Sequence, residues 1–189
     1  MNASAKQLAA TDYQFCIIEG IALPRWGEPR TTSDIDVTII TGFGNEEAGV
    51  MELMSRFPPQ FDDVLEFSRM NRMALRQTQD GIEIDVCLGA LPYEKRVAGR
   101  SSTWAIASHG ILRTCCAEDL IVLKAFATRP QDWIDVEGVI IRQGNKLDRK
   151  LIIEELTPLT ELTPLTELKE EPEILDQLQL LFDKHPSQI

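Results

Sequence analysis

Apolar and polar positions alternate most regularly over Ser33–Ile40. Residues i and i+2 of a strand share a face, so Ile35, Val37 and Ile39 point one way and Asp34, Asp36 and Thr38 the other. A second alternation runs from Ile82 to Leu88, with Ile82, Ile84, Val86 and Leu88 on one face and Glu83, Asp85 and Cys87 on the opposite one. Asp80-Gly81 joins it to an upstream arm in which Arg72, Ala74, Arg76 and Thr78 alternate with Met73 and Leu75. Asp-Gly between two alternating runs predicts a β-hairpin. Gln14–Ile18 is a short apolar run that reads as a buried strand, and Val64–Phe67 reads as another short strand. Trp104–Ala107 and Ile111–Thr114 flank Ser108-His109-Gly110 and predict a second hairpin, with His109 as a turn residue.

Helical patterns fill the spaces between. Ser4–Tyr13 has helical character, and Ile21-Ala22-Leu23 opens a short helix that Pro24, Gly27 and Pro29 interrupt. Glu46–Phe57 places Val50, Leu53, Met54 and Phe57 on one face, carries acids in its first turn and stops at Pro58-Pro59. A short helix follows Leu91-Pro92. Ala117–Thr128 starts on Glu118 and Asp119 and ends before Pro130, Gln131–Gln143 ends at Gly144-Asn145, and Asp148 caps a helix to about Leu156. Thr157-Pro-Leu-Thr-Glu-Leu162 is repeated as Thr163-Pro-Leu-Thr-Glu-Leu168, which reads as a duplication in a tolerant, partly helical connector. Glu173–Lys184 is the last helix, and His185 beyond it is expected to be solvated. Strands dominate the first two-thirds and helices the last third. That order predicts an α+β (mixed α/β) fold, with residues 1–115 as the core and 116–189 as a helical part packed on it.

Composition narrows the partners. The 189 residues carry a net charge of −11 with a pI near 4.7, which argues against a broad grip on nucleic-acid backbone but allows a local basic groove. No apolar run approaches the ~18 residues of a membrane span, and residues 1–10 lack a signal peptide's apolar segment. A cytoplasmic protein is expected. Cys16, Cys87, Cys115 and Cys116 form no Cys-x-x-Cys pair, and only two histidines exist. A structural zinc site is therefore not expected, and the cysteines read as buried thiols or as small residues before a helix.

The chemistry sits on the polar strand faces. Asp34 and Asp36 lie side by side there. Like charges that close raise a carboxyl pKa unless a cation compensates, and a divalent ion with oxygen ligands, such as Mg²⁺, is the natural compensator. If the Ile82–Leu88 strand is a neighbour, Asp85 joins them, with Glu83 as competitor. Three acids on one patch suit divalent ions that assist phosphoryl chemistry. Gly20, after a strand and before a helix, would let phosphate approach backbone N–H groups. Arg30 and Lys124 are candidates to neutralise phosphate charge. Arg129, Asp132 and Asp135 read as an ion-paired helix junction.

Ile18-Glu19-Gly20, a thirteen-residue spacer and Asp34-Ile35-Asp36-Val37 resemble the signature of the DNA polymerase β-like nucleotidyltransferase superfamily. Arg30-Thr31-Thr32-Ser33-Asp34 resembles the form found in bacterial abortive-infection toxins and small antibiotic nucleotidyltransferases. The resemblance covers roughly residues 15 to 142. It implies a mixed sheet flanked by helices and a Mg²⁺-dependent transfer of NMP from an NTP to a hydroxyl. Asp34, Asp36 and Asp85 would be metal ligands and catalytic residues, and Gly20, Arg30 and Lys124 nucleotide contacts. The acceptor would be an RNA such as tRNA, a small hydroxylated molecule such as an aminoglycoside, or a protein hydroxyl, and an antitoxin would be a partner. The first glycine of the signature is Glu19 here. Its carboxylate beside a triphosphate site keeps open a catalytically inactive nucleotide-binding or interaction module on the same fold. A metal-dependent glycosyltransferase using Asp-x-Asp is a third alternative.

Overall fold

The alternating segments become neighbouring strands of one sheet. The computed structural model describes residues 2–61, 64–106, 110–161 and 172–186. In chain order the described elements are α1 (Asn2–Ala9), β1 (Phe15–Ile17), α2 (Glu19–Trp26), β2 (Asp34–Ile40), α3 (Glu46–Met54), α4 (Val64–Asn71), β3 (Met73–Gln77), β4 (Glu83–Gly89) and α5 (Pro92–Arg100). There follow β5 (Ser102–Ile106), β6 (Gly110–Thr114), α6 (Ala117–Ala127), α7 (Pro130–Gln143), a 3₁₀ turn over Gly144–Lys146, α8 (Arg149–Glu161) and α9 (Pro172–Lys184). The chain divides into two compact units, residues 1–22 with 31–115, and residues 23–30 with 116–189.

The first unit holds a six-stranded mixed sheet in the order β3-β4-β2-β1-β6-β5. The expected hairpins form: β3 pairs antiparallel with β4, and β5 with β6. Gly81 has a φ of 79°, the left-handed geometry that glycine adopts without a Cβ penalty, and this lets the Asp80-Gly81 turn close. The decisive pairing is parallel: β4 lies beside β2 with Ile35 opposite Ile84, Val37 opposite Val86 and Ile39 opposite Leu88. Both apolar rows therefore face the same way. They form one core with Leu8 of α1, Val50 and Leu53 of α3, and Phe57. α5 packs against β1 and β2.

Two local expectations are corrected. Val64–Phe67 is the start of helix α4, not a strand. Its apolar run is short and broken by Glu66, and such runs do not distinguish strand from helix by period alone. Ser68 of α4 is buried, and the helix packs on α3 and β3. Pro24 does not end the helix after Gly20, because α2 continues to Trp26.

The second unit is helical. α6 packs against α7, α8 and α9. Leu120, Ile121, Val122 and Ala125 of α6 are all buried, so this helix is enclosed on most of its circumference. Arg142 of α7 donates to the Pro24 and Gly27 carbonyls, and Gln143 donates to the Trp26 carbonyl at 2.6 Å. These bonds satisfy carbonyls that the end of α2 leaves without helical partners. α8 runs on through Pro158 to Glu161 and takes in most of the first hexapeptide copy. The second copy and His109 lie outside the described residues. His185 is not simply solvated: its Nε2 lies 2.8 Å from Glu137 Oε1. Among the described residues no helix is long and apolar enough to cross a membrane.

Candidate metal-binding site

The register of β2 against β4 builds the site. Asp36 lies directly opposite Asp85, and Asp34 lies opposite Glu83. Since Ile35, Val37, Ile84 and Val86 all enter the core, the alternation places Asp34, Asp36 and Asp85 together on the other face. Each of the three is partly exposed, and each offers a carboxylate oxygen within 4.8 Å of the others'. Glu83, the competitor for the third position, is exposed and lies outside this cluster.

Neutral donors reach Asp34 and Asp85. Thr32 Oγ1 donates to Asp34 Oδ1 at 2.7 Å. Gln60 Nε2 donates to the Arg76 carbonyl at 2.8 Å and reaches Asp85 Oδ1 at 3.4 Å. The Asp85 carboxyl titrates above its ordinary value. Burial is the main cause and the nearby Asp34 charge adds to it, against an opposing pull from Gln60. An all-oxygen donor set whose own charges repel is what a hard divalent cation such as Mg²⁺ binds. The residues present fit such an ion.

Gly20 lies in the first turn of α2, close to this strand. A Cβ built on it would stand 2.5 Å from Thr32 Oγ1 and 2.9 Å from Thr32 Cβ, so only glycine fits beside that threonine. Glu19, just before it, has a φ of 50°. The backbone thus adopts the left-handed geometry of a glycine at the position where the resembled signature carries one.

The two expected phosphate cations are found among carboxylates of the helical unit. Lys124 is fully buried, with Nζ 3.0 Å from Asp132 Oδ1 and 2.8 Å from Asp135 Oδ2. Arg30 Nε is 3.1 Å from Asp135 Oδ2. Arg129 also pairs with Asp132. Burial alone would raise the Asp132 carboxyl, but hydrogen bonds from Arg129 and Lys124 outweigh it and hold the carboxyl below its ordinary value.

Cys87 and Cys116 are not activated thiols. Burial, aided by the Glu94 carboxylate 3.4 Å away, pushes the Cys87 thiol up to about 12. Burial beside Asp119 likewise pushes up Cys116, which caps α6 by accepting from the Asp119 N–H.

Thr32 and Gln60 are the site residues that pattern reading missed. Thr32 had a signal, since it belongs to the Arg30–Asp34 stretch that carries the resemblance, although no role was assigned to it. Gln60 had none, because it arrives from the segment after Pro58-Pro59.

No protein-family model matches the sequence, and no curated protein matches it. Solved structures do. An antigenic nucleotidyltransferase-like protein from Paracoccidioides brasiliensis superposes with a TM-score of 0.51 at 15% identity, covering 94% of this chain and 89% of that one. The antibiotic-resistance factor ANT(2'')-Ia aligns with a TM-score of 0.49 at 20% identity, covering 85% of this chain and 90% of that one. With its mixed sheet, its β2–β4 register and this likeness across nearly the whole length, the chain has a nucleotidyltransferase-like fold.

Proposed function

We propose that the protein is a Mg²⁺-dependent nucleotidyltransferase that moves NMP from an NTP to a hydroxyl of an RNA, such as tRNA, or of a small molecule. The observation that carries this reading is the in-register convergence of Asp34, Asp36 and Asp85 on one sheet face. A divalent cation held by these three carboxylates would supply positive charge to the triphosphate and to the departing pyrophosphate. The chain's own groups do the remaining work. Asp34 and Asp36 fix the ligand face through the rigid β2 backbone. Asp85 would accept the proton of the acceptor hydroxyl. The acceptor oxygen forms a bond to the α-phosphorus, the α–β anhydride bond breaks, and pyrophosphate carries away the electron pair. Gly20 at the start of α2 is the proposed contact for phosphate. Arg30 and Lys124, with Asp135 and Asp132 as partners, serve in this reading to hold the helical unit together. An antitoxin partner and a cytoplasmic location belong to the same reading.

Glu19 supports a second reading, a nucleotide-binding module without turnover, since its carboxylate adjoins the proposed phosphate contact. Incubation with Mg²⁺, each labelled NTP and a pool of RNAs and aminoglycosides separates the two. Label transfer that Asp36→Ala abolishes is the expected result. NTP binding without transfer would favour the second reading. Transfer that survives both Asp36→Ala and Asp85→Ala would refute the assignment of the site.

A further inference from the structure

The segment just ahead of β2 also reaches the carboxylates. Thr32 is half-buried and lies in the segment that leads into β2, where its hydroxyl stands 2.7 Å from Asp34 Oδ1. A threonine hydroxyl has a single proton, and here it goes to Asp34 Oδ1. That bond fixes the carboxylate about its terminal torsion, which is otherwise broad and two-fold. It leaves Oδ2 free of this bond. It also acts against repulsion from Asp36 and Asp85, which would turn the Asp34 carboxylate outward.

The hydroxyl is itself held in place by what α2 lacks. The space that a Cβ on Gly20 would need lies 2.5 Å from Thr32 Oγ1, 2.9 Å from Thr32 Cβ and 3.3 Å from Thr32 Cγ2. Thr32 Cβ is bonded directly to the backbone, so it cannot swing aside as the end of a long side chain would. A side chain at position 20 would have to displace the whole threonine side chain.

We propose that Thr32 is a positioning residue that orients Asp34 as a divalent-cation ligand, and that position 20 is glycine to seat the Thr32 side chain. The inference rests on the metal-site reading above. Gly20 then acts on the ion through two steps, Thr32 and Asp34, in addition to any contact with phosphate. Outer groups that orient metal ligands change affinity by about 10–100-fold when removed.

Mn²⁺ titration of the purified full-length protein, read by electron paramagnetic resonance of the free ion, tests this without needing the acceptor. Thr32→Val, which keeps the shape and removes the proton donor, is expected to weaken Mn²⁺ binding about 10–100-fold. Thr32→Ser is expected to retain near wild-type affinity. Gly20→Ala should resemble Thr32→Val, and the double variant should bind no more weakly than either single one, because both break the same link. Far-UV circular dichroism and thermal melts confirm that each variant is folded. Equal Mn²⁺ affinity in wild type and Thr32→Val overturns the inference, as does fully additive loss in the double variant. Mn²⁺ binding that is absent from wild type, or unchanged in Asp36→Ala, overturns the metal-site reading and the inference with it.

Discussion

Glu19 has a left-handed backbone, and this makes a prediction whose sign depends on that conformation. Its φ is 50°, in the region where a side chain costs about 1–2 kcal/mol per residue. Replacing it with glycine removes that strain but adds about 0.4–1 kcal/mol of unfolded-state entropy to be lost on folding. To separate backbone from side chain, Glu19→Gly is best compared with Glu19→Ala, since both remove the carboxylate. At ordinary helical dihedrals alanine would win by about 0.5–1 kcal/mol. At the observed φ the order reverses, and glycine should win by about 0.5–1 kcal/mol. For a chain of this size that corresponds to a melting temperature roughly 1–4 °C higher. Urea denaturation, followed by fluorescence and far-UV circular dichroism, measures it as a rise in midpoint at constant slope. Alanine equal to or more stable than glycine would refute the reasoning. The same pair informs function, because a carboxylate that blocks phosphate would be absent from both variants and their nucleotide affinities would rise together.

Two further outcomes concern buried and clustered charge. Lys124→Met should lower stability by about 3 kcal/mol, the low end for breaking a buried ion pair, because Arg129 and Arg30 remain beside Asp132 and Asp135. A melting shift under about 2 °C would contradict the buried clasp. The pH profile should divide between Asp132 and Asp85. The Asp132 carboxyl is lowered in the fold, so its stabilisation is present above the unfolded carboxyl pKa and is lost as pH falls through the lower folded value. The Asp85 carboxyl is raised, so its ionised form costs stability at neutral pH, and that cost fades as pH falls. Asp132→Asn should therefore destabilise at pH 7 and flatten the acid limb, whereas Asp85→Asn should stabilise the metal-free protein at pH 7. Parallel pH-dependent melts of both variants check the opposite signs.

Strand faces were the most legible feature of the sequence. A period of two assigns every residue of β2 and β4 to a side once one side is apolar, which put Asp34 with Asp36 and Asp85 with Glu83; that the two strands are neighbours, with Asp85 opposite Asp36, came from the sheet order. The Asp80-Gly81 turn was legible for the same reason, since its chemistry is local. Val64–Phe67 was not, because four residues are too few to show whether the period is 2 or 3.6. The burial of Lys124 escaped a reading that made it a candidate phosphate contact. A cue was present: α6 is apolar almost all the way round, so a lysine within it must be buried, and a buried ammonium needs carboxylates. Asp132 and Asp135, one turn apart on the next helix, supply them. The partners of Asp34 and Asp85 were harder to see, because hydrogen bonds from Thr32 and Gln60 depend on side-chain reach.

The parallel register of β2 and β4 also sets which changes of chain length the protein can tolerate. Asp36 and Asp85 meet only because both strands are counted from the same phase. Residues added between the strands, in the segments around α3 and α4, lengthen a connection and leave that phase intact. One residue added between Glu83 and Ile84 reverses the sides of everything on one flank of it, and where the upstream pairing holds it brings Ile84 to the place of the acid, as a one-residue deletion there brings Val86. Deletions follow the same parity. The site thus divides its own sequence into stretches where length is free and stretches where it is fixed to the residue.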